Sequence, residues 1–250
     1  MKKRMMRLAA GLLLGSVVLV SGVWVLSREL AMRETLYHGK PDKYWKVQVN
    51  AADATASNEA NSILNAEIIP NLTQVMFHDT NDSALKLALV DKLNDLPGIE
   101  ILFMPAQDRR EAAAYELGYF GPAARSAVPA LLEVLNGNDE AVHKPAVISL
   151  GCIRAEPATV IPALMRCLND DYVNIKAVSA LGQFGAAARA AVPQIIILMQ
   201  ANDPETKWAA GEALTEIDPD AYARARNAVQ GTTNSAVVKE AGAMGTTSVK

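Results

Sequence analysis

What most limits the fold of this chain is a short phrase that returns at a fixed interval. It reads Ala112-Ala-Ala-Tyr-Glu-Leu-Gly118, Pro145-Ala-Val-Ile-Ser-Leu-Gly151, Lys176-Ala-Val-Ser-Ala-Leu-Gly182 and Ala209-Ala-Gly-Glu-Ala-Leu-Thr215, its last residues 33, 31 and 33 positions apart. A second phrase keeps the same beat: Ala127-Val-Pro-Ala-Leu-Leu132, Val160-Ile-Pro-Ala-Leu-Met165 and Ala191-Val-Pro-Gln-Ile-Ile196. A polar marker sits between them, as Asn138-Asp139, Asn169-Asp170 and Asn202-Asp203. Three markers at one period are the mark of stacked supersecondary units.

Each unit reads as two amphipathic helices. Leu131, Leu132, Val134 and Leu135 fall at helical spacing, and so do Ala141, Val142, Ala146, Val147 and Leu150 after Asp139. Pro near the start of the first helix loses no intrahelical bond. The Asn-Asp pair makes the turn and caps the second helix. Gly is expected to end that helix. Neither helix can bury its apolar stripe alone, so neighbours must stack.

The pattern Pro-Ala-Leu-Leu-x-x-Leu, then Asn/Asp, then x-x-Ala-x-x-x-Leu-Gly-x-x-Gly-Pro-Ala-Ala resembles HEAT-type repeats of the small, Ala/Gly-rich, lyase-like variety. The match is clear over 109–217 and weaker over 51–97. What the resemblance implies is an all-α fold, an α-α superhelix or α-solenoid. The family's members mostly bind other molecules, so a protein-binding scaffold is implied rather than an enzyme. Bilin lyases share this repeat type, which keeps a bilin-lyase-like enzyme or subunit as the alternative.

The N-terminus adds a second constraint. Lys2, Lys3, Arg4 and Arg7 precede an uncharged stretch from Leu8 to Leu26. As a helix it would span roughly 28 Å, about one hydrocarbon core. A cleaved signal usually has an apolar core of only about 7–15 residues before a small-x-small site. The stretch therefore reads as a transmembrane anchor, with secretion after cleavage as the alternative. Basic residues ahead of the span favour a cytoplasmic N-terminus and a periplasmic or otherwise extracytoplasmic repeat domain. The resulting divisions are a basic tail at 1–7, the anchor at 8–26, a juxtamembrane connector at 27–50, the repeat domain at 51–220 and a tail at 221–250.

The connector holds Tyr37-His-Gly-Lys-Pro-Asp-Lys-Tyr-Trp45. Tyr37, Tyr44 and Trp45 either cap the open end of the stack, rest at the membrane interface or bind a ligand. Ile68 to Phe77 reads as a first helix and Ala84 to Leu93 as its second, with Leu93 in the place of Leu117. The stretch 96–107 then interrupts the pattern and is expected to fold back over the stack, with an exposed contact loop as the alternative. Pro219 to Ala228 reads as a last short helix. Beyond it, Gln230 to Lys250 has no periodic apolar face and should be mobile.

Composition excludes several classes. A net charge of −3 gives no basic footprint for nucleic acid. Aromatics are only 5%, as suits an Ala-rich helical stack. Cys152 and Cys167 have neither CxxC nor Cys/His metal spacing, and read as packing residues with a disulfide as the alternative. His38, His78 and His143 lie far apart. There is no P-loop, GxSxG or HExxH. No catalytic residue, metal, cofactor or small-molecule substrate is expected.

The strongest surface signal lies seven residues before each repeat Leu, at Lys86, Arg110, His143, Asn174 and Lys207. Stacking would align them in a row, where each can bond the carboxylate of a turn. Beside the row lie Lys144, Lys176 and Trp208. Trp208 is a large aromatic at a variable register position, the profile of an interface anchor. Lys86, Arg110, His143, Lys144, Lys176, Lys207 and Trp208 are therefore the candidate partner-binding residues.

Overall fold

A computed structural model describes residues 35–80, 82, 84–95, 101 and 103–228, without the side chain of Lys86. The expected anchor at 8–26 and the end of the chain from 229 lie outside the described residues. Among the described residues, no helix is long and apolar enough to cross a membrane.

The fold is all-α apart from a two-stranded antiparallel hairpin, β1 (Leu36–Tyr37) with β2 (Lys40–Pro41). Helix α1 (Asp42–Val49) follows the hairpin and packs on α2 (Ala54–Ile63). Asp53 caps α2, its carboxylate accepting from the backbone N–H of Thr55 and Ala56. One π-helical turn (Leu64–Ile68) joins α2 to α3 (Ile69–His78) without a break. Then come α4 (Ala84–Asn94), α5 (Ala106–Tyr119), α6 (Val128–Asn136), α7 (Glu140–Ile153), α8 (Pro157–Cys167), α9 (Asn174–Gln183), α10 (Val192–Leu198) and α11 (Pro204–Ile217). A helix at 219–228, here α12, reaches into the expected tail, and its Ala221 is buried.

Helices α5, α7, α9 and α11 carry the four copies of the first phrase. Each packs mainly on the next, α5 on α7, α7 on α9 and α9 on α11. Helices α6, α8 and α10 lie against α7, α9 and α11 respectively, and α3 lies against α5. The core is the seam between these two sets. Leu117, Leu150, Leu181 and Leu214, the recurring leucines, are all fully buried in it, with Leu131, Leu164 and Ile195 from the other set.

The recurring glycines do something other than end helices. Gly118, Gly151 and Gly182 sit inside α5, α7 and α9. A Cβ on Gly151 would lie 2.9 Å from the Cα of Ala180, and one on Gly182 would lie 3.2 Å from the Cα of Ala213. They let adjacent helices approach backbone to backbone. The stop signal comes three residues later, where Gly121 and Gly185 take φ of +55° and +54°. In the intervening unit Arg154 holds that place, at φ 51°.

Two more sequence expectations change. Pro129 and Pro193 stand in the first turn of α6 and α10, but Pro162 lies inside α8, which starts five residues earlier at Pro157. Of the three Asn-Asp pairs, only Asp203 caps the following helix with its side chain, accepting from the Thr206 N–H at 2.7 Å.

The largest departure lies between α3 and α5. The sequence pairs Ala84–Leu93 with the preceding Pro helix, yet α3 packs directly on α5. Helix α4 belongs to an excursion over 79–105. Its Leu85 is 80% exposed, and Leu87 and Leu89 are exposed as well. Of the expected interruption at 96–107, residues 96–100 and 102 lie outside the described residues, and Ala106 and Gln107 already belong to α5. Arg109 closes the base. Its guanidinium donates to Asp79 at 2.6 and 2.8 Å, to Asp82 at 3.3 Å and to the Met104 carbonyl. Within the excursion, Asn94 exchanges two hydrogen bonds with the backbone of Ile101, which is buried.

Candidate functional site

The exposed face of α5, α7, α9 and α11 is built by helical spacing. Residues four apart share a face, so Trp208, Glu212 and Glu216 of α11 stand in one column. The register of the phrase sets Ile175, Ser179 and Gln183 beside them on α9, then Lys144, Ile148 and Cys152 on α7, and Glu111, Tyr115 and Tyr119 on α5. Trp208 is 69% exposed, Tyr119 60% and Tyr172, from the turn before α9, 56%. Tyr119 and Tyr172 both lie close to Tyr115, and Trp208 shares the face by register.

Cations accompany them. Lys144 Nζ lies 5.8 Å from the centre of the Tyr172 ring. Lys46, reaching over from α1, holds its Nζ 4.4 Å from the Tyr119 ring, within cation–π range. Tyr115 sits among them. Partial burial first, then Glu111, Tyr172 and Tyr119, push its phenol above the usual tyrosine pKa.

The aligned row divides in two. Arg110 is committed to the fold, donating to Asp139 at 3.0 Å in the next turn and to the Asp79 carbonyl at 2.8 Å in the preceding one. His143 donates Nε2–H to the Gly137 carbonyl at 3.1 Å. Asn174 is buried. Lys207 is exposed, and Lys144 and Lys176 are half-buried. The side chain of Lys86 lies outside the described residues. Of the candidate residues, Lys207 and Trp208 are thus exposed, and Lys144 and Lys176 are partly so. Tyr115, Tyr119 and Tyr172 are the aromatic residues of this face that sequence reasoning did not single out.

The connector segment forms the other end. Tyr37 and Trp45 are buried, and the Trp45 indole N–H donates to the Tyr37 carbonyl at 3.0 Å. The Tyr37 hydroxyl donates to Asn71 on α3 at 3.1 Å. His38 meets Glu67 in the π-helical turn at 2.8 Å, both largely exposed. Tyr37 and Trp45 therefore cover the end of the helical stack, while Tyr44 remains exposed. Burial, then Glu116, Asp42 and Glu67, raise the Tyr37 pKa to about 12. Burial, then Asp42, raise that of Glu116 to about 7. The docked connector thus sets Asp42 of α1 against Glu116 of α5.

Cys152 and Cys167 are both free and half-buried. Among the described residues no three His, Cys, Asp or Glu side chains converge as a metal site would need. What this arrangement offers chemically is a polar, aromatic-studded helix face. Scanned against protein-family models the chain matches none, and a search of the curated proteins returns no match.

Proposed function

We propose that this chain is a membrane-anchored, HEAT-like α-solenoid, non-enzymatic, that binds a protein partner on the face formed by α5, α7, α9 and α11. The single observation that carries the reading is the exposed Tyr172 and Tyr119 with Lys144, on the face to which register also assigns the exposed Trp208. Aromatic and cationic side chains held on rigid helices are what protein interfaces use as anchors. The 33, 31 and 33 spacing supports the solenoid reading, as does the order in which each phrase-bearing helix packs on its successor. A small rotation per unit then makes this face concave, long and open to an extended segment. The uncharged stretch 8–26 supports the anchor, with the helical domain on the extracytoplasmic side.

Crosslinking and pull-down from membranes tests the reading. Lys144→Glu with Trp208→Ala should abolish capture of the natural partner while leaving melting nearly unchanged, since Trp208 is exposed and a charge at the surface contributes little to folding. Capture at wild-type level by the double variant would place the interface elsewhere. Removing residues 1–27 should move the protein from the membrane to the soluble fraction; a full-length chain recovered as soluble, with its N-terminus intact, would end the anchor reading.

A further inference from the structure

Between the C-terminal halves of α9 and α11 lies a cleft of about 400 Å³. Its floor is bare because Gly182, Ala209 and Ala213 line the helix contact there without long side chains. Its walls are charged and of opposite sign, with Arg154 and Gln183 on one part and Glu212 and Glu216 on another. These charges do not neutralise one another. Among the described residues, Arg154, Glu212 and Glu216 make no side-chain hydrogen bond or ion pair.

Arg154 holds this place at a cost. It occupies the left-handed position that Gly121 and Gly185 fill in the neighbouring units. A non-glycine residue there carries backbone strain that glycine would not. Glycine would satisfy the backbone better, and what it would remove is the cation in the cleft. Trp208 stands next to Ala209 of the floor and one turn from Glu212, so the cleft continues the aromatic face.

We propose that this cleft receives a stretch of the protein partner carrying a carboxylate and a Lys or Arg side chain a few residues apart. The carboxylate is held by the Arg154 guanidinium and the Gln183 amide, and the cation by Glu212 and Glu216. A guanidinium suits this task because its fork matches a carboxylate in two parallel hydrogen bonds. The cation also meets the C-terminal end of α11, where the helix dipole favours positive charge. The proposal rests on the reading of this face as the partner-binding surface, and it identifies the charge pattern that surface selects.

The probe is the labelled peptide acetyl-Ala-Lys-Ala-Ala-Glu-Ala-amide, titrated into the detergent-solubilised full chain at low salt and followed by anisotropy. Controls replace its Lys, or its Glu, by Ala. The mixed peptide should bind more tightly than either control by about tenfold, the worth of one added charge-assisted contact. Arg154→Gly should erase the advantage of the Glu-bearing peptide without harming the fold, because glycine relieves the backbone strain. Glu212→Gln with Glu216→Gln should erase the advantage of the Lys. Equal affinity for all three peptides, or an unchanged preference in Arg154→Gly, overturns the proposal. So does natural-partner capture that is lost in Lys144→Glu with Trp208→Ala but kept in both cleft variants, a result that leaves the interface reading standing.

Discussion

Gly151 and Gly211 lie in equivalent kinds of helix, yet the same substitution should move stability in opposite directions. At Gly151 a new Cβ meets the Cα and Cβ of Ala180, each at 2.9 Å, and backbone cannot yield as a flexible side chain can. Gly151→Ala should therefore cost about 1–3 kcal/mol through overpacking. At Gly211 the nearest atom is a ring carbon of Tyr222 at 3.4 Å, an ordinary contact. Gly211→Ala should instead stabilise by up to about 1 kcal/mol from helix propensity. Thermal melts of the two variants check the pair, and matching signs would refute the close-approach argument. Glu116 supplies a titration at the same scale. Its carboxyl is raised to about 7, by burial first and Asp42 second. The folded state therefore holds this proton over a range in which the unfolded chain has already lost it. Stability from this group is greatest at low pH, falls as pH rises from about 4.5 to about 7, and is flat above. Because Glu116 is only partly buried, water screens part of the effect, leaving on the order of 1 kcal/mol. Glu116→Gln should flatten that part of the pH–stability curve, and an unaltered curve would show that neither burial nor Asp42 holds the proton on this carboxyl.

At the scale of elements, the excursion over 79–105 is the most instructive. Leu85, Leu87, Leu89 and Leu93 have the density of apolar residues that a buried second helix would show, and so the sequence reads α4 as one. What decides otherwise is position. Arg109 binds Asp79 and Asp82 across the base of the excursion, which brings α5 directly behind α3. The signal lay in the sequence as Asp79, Asp82 and Arg109, but carboxylates 27 and 30 residues from their partner leave no periodic trace. Arg109→Ala leaves partly buried carboxylates without their main donor and should cost about 1–3 kcal/mol. It should also expose the excursion to cleavage between 80 and 104 under limited proteolysis. A protease pattern identical to wild type would mean that the base is held by other contacts. The candidate face shows the same limit. Trp208 could be read from register alone, whereas the Lys144–Tyr172 and Lys46–Tyr119 pairs join a helix to a turn and a helix to the connector.

For the whole molecule, period was the legible part. It survives because each recurring Leu must reach the seam and each recurring Gly must admit the next backbone. Those are requirements of packing, and they recur wherever the packing does. The left-handed position shows where period fails: Gly121 and Gly185 announce it, and Arg154 hides it. A molecule in which α5, α7, α9 and α11 each pack mainly on their neighbours should also lose stability along the same order. Leu150 is fully buried in α7, between α5 and α9. Leu150→Ala should cost about 2–5 kcal/mol through the cavity it leaves. The loss should not stay in α7, because α7 packs directly on α5 and α9. In native-state hydrogen exchange, α5 and α9 should lose most of their protection along with α7. Helix α11, one interface further on, should lose less, and α1 with the hairpin, held by Tyr37, Trp45 and Asn71, should lose least. A uniform loss across every helix would point to a single cooperative core, and a loss confined to α7 would show that its interfaces with α5 and α9 carry little of the stability.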